Sequence, residues 1–304
     1  MASSARRASQ SSNFSELNEE YASFRASVPL KKVTVDEGGR CREWLYFEAG
    51  PKSIKRPLVF LPPLSGGADV YFKQILSLSG AGFRVISVEI PVFWNISGFC
   101  RGFQGFLDAL NIDRAHIFGA SLGGYLAQKY AESTPLSRVA SLILCNSFTD
   151  TAIFNRQDAV LIYWALPAVV LKRILLGGFP HGRMELSIAD SIDFMVDRIE
   201  TMNQEQLAAR MTLNCSRSFC DTRKIAHLPI TIINVLDNCA LSESARADII
   251  SQYPKARRAE LKSGGNFPFL SRSAEVDLHI KIHLTRFDST SASARRLDDS
   301  LSSP

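Results

Sequence analysis

The sequence predicts an α/β chain: a mostly parallel central sheet flanked by helices, with a helical cap inserted before its last strands. Three observations carry this. Short runs such as Leu58–Leu61 and Val139–Cys145 are apolar at every position but one, as expected of strands buried on both faces. Amphipathic helical patterns stand between these runs, as crossover connections of parallel strands require. The alternation breaks from about Thr149 to Leu228, where the pattern is mostly helical.

The elements follow in order. Residues 1–20 are rich in Ser, Glu and Arg and poor in apolar residues, so they are expected to be disordered. Lys31–Val35 and Glu43–Phe47 read as two strands joined by the turn Asp36-Glu-Gly-Gly39, an antiparallel start. Leu58–Leu61 is a strand ended by Pro62-Pro63, and a helical pattern runs from Ala68 to Leu78. Strand Phe83–Val88, a helix over Gly98–Leu110, strand Ala115–Phe118 and a helix from Ser121 follow, then strand Val139–Cys145. The cap, 149–228, carries helical patterns at Ser187–Met202 and Gln204–Leu213. Beyond it come strand Ile230–Val235, helix Ser242–Gln252 with Ser242 as its cap, a weak strand at Ala259–Leu261 and a last helix, Ser273–Phe287. The serine-rich stretch 288–304 reads as a second disordered tail, which leaves 21–148 and 229–287 as the sheet core.

A chain of 304 residues with 46% hydrophobic content supports one sizeable core. Its net charge of +5 is partly carried by tail arginines, and no Lys/Arg stripe interleaves with aromatics, so nucleic acid is not an expected partner. The six cysteines, Cys41, Cys100, Cys145, Cys215, Cys220 and Cys239, form no Cys-x-x-Cys pair and fit no zinc spacing. The polar N-terminus shows no signal peptide, so reduced thiols in the cytoplasm are expected, with no metal or other cofactor. The longest apolar run, Ala159–Leu171, is broken by Pro167 and falls short of the ~20 residues a membrane span needs. It reads as buried or interfacial. Its Tyr163 and Trp164 are candidate partner contacts, and ordinary cap core accounts for the same pattern. Arg6-Arg7-Ala8-Ser9 has the form of a basophilic kinase site.

The strongest chemical motif is Phe118-Gly-Ala-Ser-Leu-Gly-Gly124, a Gly-x-Ser-x-Gly between a strand and a helix. That context fits a nucleophile elbow with Ser121 at its tip. The elbow implies further parts. One oxyanion donor would be the N–H of Leu122; another would come from the loop after Leu58–Leu61. In that loop Pro62 and Pro63 have no N–H, whereas Leu64 does; a rigid turn leading into a helix explains the same residues. The triad acid would follow a later strand, where Asp237 stands, although a turn aspartate also favours such a place. The base would come from the loop before the last helix, and there the chain has Asn266. Asparagine cannot take a proton from Ser121 near neutral pH. His116 lies within a strand, His227 before one, and His181 in the cap. His279 and His283 share a helix face at i,i+4 spacing, without the acidic residue of a metalloprotease helix.

Taken together, the motifs resemble the maspardin family of the α/β-hydrolase superfamily. The resemblance rests on Val28–Lys32, Leu61–Pro63, Ala68–Val70, Phe118–Gly124, Leu142–Phe148, Asp193–Arg198, Leu213–Cys215, Gly264–Pro268 and Arg272–Val276. It implies an α/β-hydrolase fold without demonstrated hydrolase activity, and an asparagine at the position of Asn266. It also implies an adaptor in vesicle trafficking, cytoplasmic and associated with endosomal and trans-Golgi membranes. Its partners would be the cytoplasmic tail of a receptor and an aldehyde-dehydrogenase-like protein. The alternative from the residues themselves is an esterase- or lipase-like serine hydrolase using Ser121 with a non-standard or missing base.

Overall fold

Eight strands form one sheet in a computed structural model of the chain, which describes residues 16–301 except 40, 155–159, 161 and 181; beyond Phe287 it describes backbone alone. The Ser9 motif, His181 and residues 302–304 lie outside the described residues. The strands are β1 (Leu30–Asp36), β2 (Cys41–Ala49), β3 (Leu58–Leu61), β4 (Val85–Val88), β5 (Ala115–Ala120), β6 (Val139–Cys145), β7 (Ile230–Val235) and β8 (Arg257–Leu261). Their order is β1-β2-β4-β3-β5-β6-β7-β8, with β1 and β2 antiparallel and every pair from β4 to β8 parallel. The turn between β1 and β2 works as the sequence predicts. Gly38 and Gly39 adopt φ of 78° and 93°, and the Gly39 N–H donates to Asp36 Oδ1 at 2.7 Å.

Alternate strand residues feed two cores on opposite faces. Val59, Leu61, Ile117, Leu142 and Ile232 face α3 (Ile96–Ala109), α4 (Leu122–Ser133) and α9 (Glu243–Gln252). Leu58, Phe60, Phe118, Ile143 and Ile233 face α1 (16–27), α2 (Phe72–Gly80), α10 (Pro268–Ser271) and α11 (Ser273–Leu301). Side chains one apart on a pleated strand point to opposite faces, so fully apolar strands are what a sheet covered twice demands. Side-chain oxygens of Asn95 and Ser242 cap α3 and α9.

Several elements differ from the expectation. Residues 16–20 are the first turns of α1; Leu17 and Phe24 are buried, and Phe24 packs on Phe47 and Phe72. The helix expected from Ala68 starts at Phe72, because the Ala68 N–H is taken by Glu89 Oε2 at 2.8 Å and residues 67–70 form a turn. In the run 159–171, residues 159 and 161 lie outside the described residues, and Pro167 opens a helix rather than ending one: α5 (Ala168–Leu176) begins immediately after it. Helical backbone continues through Leu301, into the stretch expected to be a disordered tail. Between β6 and β7 the chain also forms α6 (Leu186–Thr201), α7 (Gln204–Cys215) and the short α8 (Thr222–Ile225). A separate apolar cluster, with Tyr163, Leu171, Ile199, Leu207 and Met211, holds the cap together. Cys220, Ile225 and Leu228 pack into the sheet core rather than into this cluster. Among the described residues no helix is long and apolar enough to cross a membrane.

A buried polar chain ties α11 to the N-terminal ends of three strands. His283 Nδ1 lies 2.7 Å from Thr231 Oγ1, and Ser141 Oγ lies 2.7 Å from both His283 Nε2 and His116 Nδ1. Phe287 covers His116, with ring centroids 4.6 Å apart. Both imidazoles are therefore engaged at the sheet end opposite Ser121, which removes them as bases for it.

Burial lowers the His116 pKa to about 3 and that of His283 to about 4; each histidine also faces cations, Arg56 and Arg114 for the first, Arg257 and Arg286 for the second. The unfolded chain binds these protons near pH 6.5, so stability is complete above that pH and falls as pH drops toward 4. The expected slope is about 1.4 kcal/mol per pH unit for each histidine. Urea unfolding between pH 7.5 and 5 should show it, and His283→Gln should reduce the slope to about half, leaving the His116 share; a flat wild-type profile would contradict the arrangement. Phe24→Ala should destabilise the chain by about 3–5 kcal/mol, whereas a loss near zero would mean that α1 is not part of the core.

Candidate active site

Ser121 sits where β5 turns into α4, with φ 49° and ψ −118°. A non-glycine residue at positive φ is strained and is held there by its surroundings. The flanking glycines show how. A Cβ on Gly119 would come within 2.4 Å of the Gly123 backbone, and one on Gly123 within 2.2 Å of the Leu61 carbonyl oxygen. Only bare backbone lets the end of β5, the start of α4 and the loop after β3 meet so closely. The Ser121 N–H donates to the Cys145 carbonyl at 3.0 Å, and among the described residues its hydroxyl makes no hydrogen bond. Leu122 opens α4, so its N–H has no carbonyl in a preceding turn, while its side chain is buried in the sheet core.

A cavity of about 320 Å³ opens over this elbow, and Ser121, Leu64 and Asn266 all line it. Asp237 does not meet Asn266 directly among the described residues. Its carboxylate accepts the N–H of Gly264 at 2.9 Å and of Gly265 at 3.1 Å. Gly265, at φ 61°, is in the left-handed region that glycine tolerates. The Asn266 side chain turns to the segment after β7 that also carries Asp237, where its Oδ1 accepts the Ala240 N–H at 2.6 Å. Asp237 thus holds the backbone of the loop that carries Asn266, whose side chain is a neutral amide. Among the described residues lining the cavity there is no histidine, lysine, arginine, aspartate or glutamate. His227 is exposed before β7, and no cluster of three His, Cys, Asp or Glu among the described residues could hold a metal.

Two supporting residues escape sequence reasoning. Asn146, left-handed at φ 41°, donates to the Gly265 carbonyl at 3.0 Å and accepts the Val235 N–H at 3.2 Å, joining the ends of β6 and β7 to the Asn266 loop. Its signal is weak but present: an asparagine just past an apolar strand, at the carboxyl edge where parallel sheets place their sites. Arg210 is 1% exposed on α7. Its guanidinium donates to the Gly66 carbonyl and the Glu89 carboxylate, and more distantly to the Leu64 carbonyl at 3.4 Å. Burial pushes the Glu89 carboxyl up, with Arg210 opposing. An arginine among Leu207, Ala208 and Met211 is the only hint the sequence offers.

The two cap aromatics separate. Tyr163 is buried, lines the cavity and places its hydroxyl 3.7 Å from Cys215 Sγ, whereas Trp164 is 66% exposed and lies outside the lining. A second contact between cap and core joins Arg198 to Tyr21 Oη at 2.7 Å and to Asp69 Oδ2 at 3.3 Å, with Tyr21 donating to Asp69 at 2.5 Å.

The alpha/beta hydrolase fold family matches residues 56–222. Maspardin of Homo sapiens is 52% identical over 280 residues, which cover 92% of this chain and 91% of that protein. Maspardin of Danio rerio is 52% identical over 272 residues, covering 89% and 87%. Among solved structures, a thermophilic esterase from Thermogutta terrifontis superposes with a TM-score of 0.71 over 85% of this chain and 98% of its own; at 16% identity this speaks to the fold alone. With an eight-stranded hydrolase sheet, a serine elbow and half of its residues shared along almost the whole length, the chain belongs to the maspardin family of α/β-hydrolase-fold proteins.

Proposed function

We propose that the chain is a non-catalytic hydrolase-fold binding protein, whose cavity retains a nucleophile elbow without a base. The observation that carries this is Asn266: it lines the cavity over Ser121 with its oxygen bound to the Ala240 N–H, and it stands in the loop from which the sequence pattern leads one to expect the base. An unactivated serine hydroxyl is a weak nucleophile. Loss of general-base help removes about 10²–10⁴ in rate, and on the order of 10⁶ where a triad acts as a unit. The adaptor role, with a receptor cytoplasmic tail and an aldehyde-dehydrogenase-like protein as partners and endosomal or trans-Golgi membranes as its location, forms part of this proposal and rests on the family resemblance.

One observation favours a second reading, a serine hydrolase of low activity: the strained elbow is maintained, and the Ser121 hydroxyl is uncommitted. Fluorophosphonate labelling separates the two. The wild type should label slowly or not at all, and strong labelling that vanishes in Ser121→Ala would overturn the binding-protein reading. In the converse experiment, Asn266→His should raise hydrolysis of a short p-nitrophenyl ester by about 10²-fold or more, and the gain should disappear when Ser121→Ala is added. No gain would mean that the oxyanion donors or Asp237 are out of place for chemistry.

A further inference from the structure

Another concavity among the described residues shares no lining residue with the cavity over Ser121. It is an open cleft of about 860 Å³ between α3, α4 and α8. Four cations line it: Arg101 from α3, Lys129 from α4, Arg138 from the entry to β6 and Lys224 from α8. One described lining residue, Glu132, is an acid.

The hydrogen bonds show how these charges are disposed. Glu132 lies between two ammonium groups: its Oε2 accepts Lys129 Nζ at 2.6 Å, and its Oε1 is 3.6 Å from Lys224 Nζ. Lys129 Nζ also donates to the Phe219 carbonyl at 2.9 Å. Asp108, on α3 beside the cleft, accepts from Arg138 and from Gln104. Asp221, which precedes α8, is held by Arg223. Arg101 donates to a neutral group, the Ser97 hydroxyl, at 2.7 Å. Arg101 and Lys224 are both exposed, on separate walls of the cleft. Glu132 is thus a carboxylate that the chain itself sets among these cations, and it bridges two of them. A concave wall dominated by one sign of charge concentrates the field over it.

Two features select the partner. The cleft is near the upper end of small-ligand sites, roughly 300–1,000 Å³, and far larger than one carboxylate or phosphate fills. Apolar side chains also adjoin the cations: Leu136, next to the lining Pro135, and Phe219, whose carbonyl holds Lys129, are both exposed. A bilayer presents a flat layer of head groups, which does not enter a cleft between helices. A peptide that interleaves acidic and apolar side chains meets both the cations and the apolar rim.

We propose that the α3–α4–α8 cleft docks an acidic peptide segment of a partner protein. Its carboxylates face Arg101 and Lys224, and its apolar side chains lie against Leu136 and Phe219. The cleft is separate from the Ser121 cavity, so this goes beyond the binding-protein reading and holds whichever way that reading is decided.

The test is fluorescence-anisotropy titration of the full chain at about 50 mM salt. The probes are a labelled peptide of three Asp-Glu-Leu-Gly repeats, the same peptide with Asn and Gln replacing Asp and Glu, and a labelled oligothymidylate of equal length. The acidic peptide should bind saturably with Kd below about 100 μM, and the amide peptide at least about tenfold more weakly. Arg101→Ser combined with Lys224→Ser should weaken the acidic peptide at least about tenfold. Lys52→Ser combined with Lys55→Ser removes the same charge from exposed positions outside the cleft and should change Kd by less than about twofold. Absence of saturable binding, equal binding of the amide peptide, or equal losses in the two double variants would overturn the proposal. So would tighter binding of oligothymidylate, or co-sedimentation with phosphatidylserine vesicles that the Arg101 and Lys224 changes abolish; these would assign the surface to nucleic acid or to a membrane.

Discussion

The close approach of Gly123 to the Leu61 and Pro62 carbonyls is the constraint on which the carboxyl edge of the sheet depends. It fixes where β3 ends, how β5 turns and where α4 begins. Once those are set, Ser121 has one place to stand, and its positive φ is a consequence of the packing around it. The elbow is therefore a device of backbone proximity. It stands beside a loop whose cavity-lining side chain is the neutral amide of Asn266.

The cap is fastened to this edge by two guanidinium groups. Arg210 reaches down from α7 to the loop after β3, and Arg198 reaches from α6 to Tyr21 and Asp69. Both contacts are charge-assisted; the Arg210 side chain is buried, whereas Arg198 and Asp69 are partly exposed. Through Arg210 the cap and the elbow share one support: a shift of α7 would move Leu64 and Gly66 as well as the cavity wall. Asn146 and Asp237 fasten the opposite loop in the same manner, through main-chain partners.

Much of this is written locally. Apolar strands, capping residues and the Gly-x-Ser-x-Gly spacing declare themselves over four to seven residues, and the slot of Asn266 follows once the elbow is placed. What local pattern hides is pairing at long range. Arg210 and Glu89 are 121 residues apart, and Arg198 and Tyr21 are 177 apart; nothing in the spacing of either announces its partner. Residues 16–20 look polar because their single large apolar side chain, Leu17, is one residue in five, yet one buried residue per turn is enough to anchor a helix whose other faces meet water. Pro167 misleads because the residue that ends one helix also suits the first turn of the next.

The second core has a consequence for how the chain is made. Phe60, Phe118 and Ile143 look onto a face closed by Phe269, Val276, Ile280 and Leu284, which come almost last in the sequence. A ribosome delivers the strands first and their cover afterwards. Until α10 and α11 emerge, a broad aromatic and aliphatic surface stands open to solvent, the kind of exposed face that draws chaperones and promotes aggregation. Folding of the sheet thus waits on the emergence of α10 and α11, and a nascent chain stalled before residue 268 would hold every part of the elbow at Ser121 but lack the wall behind it.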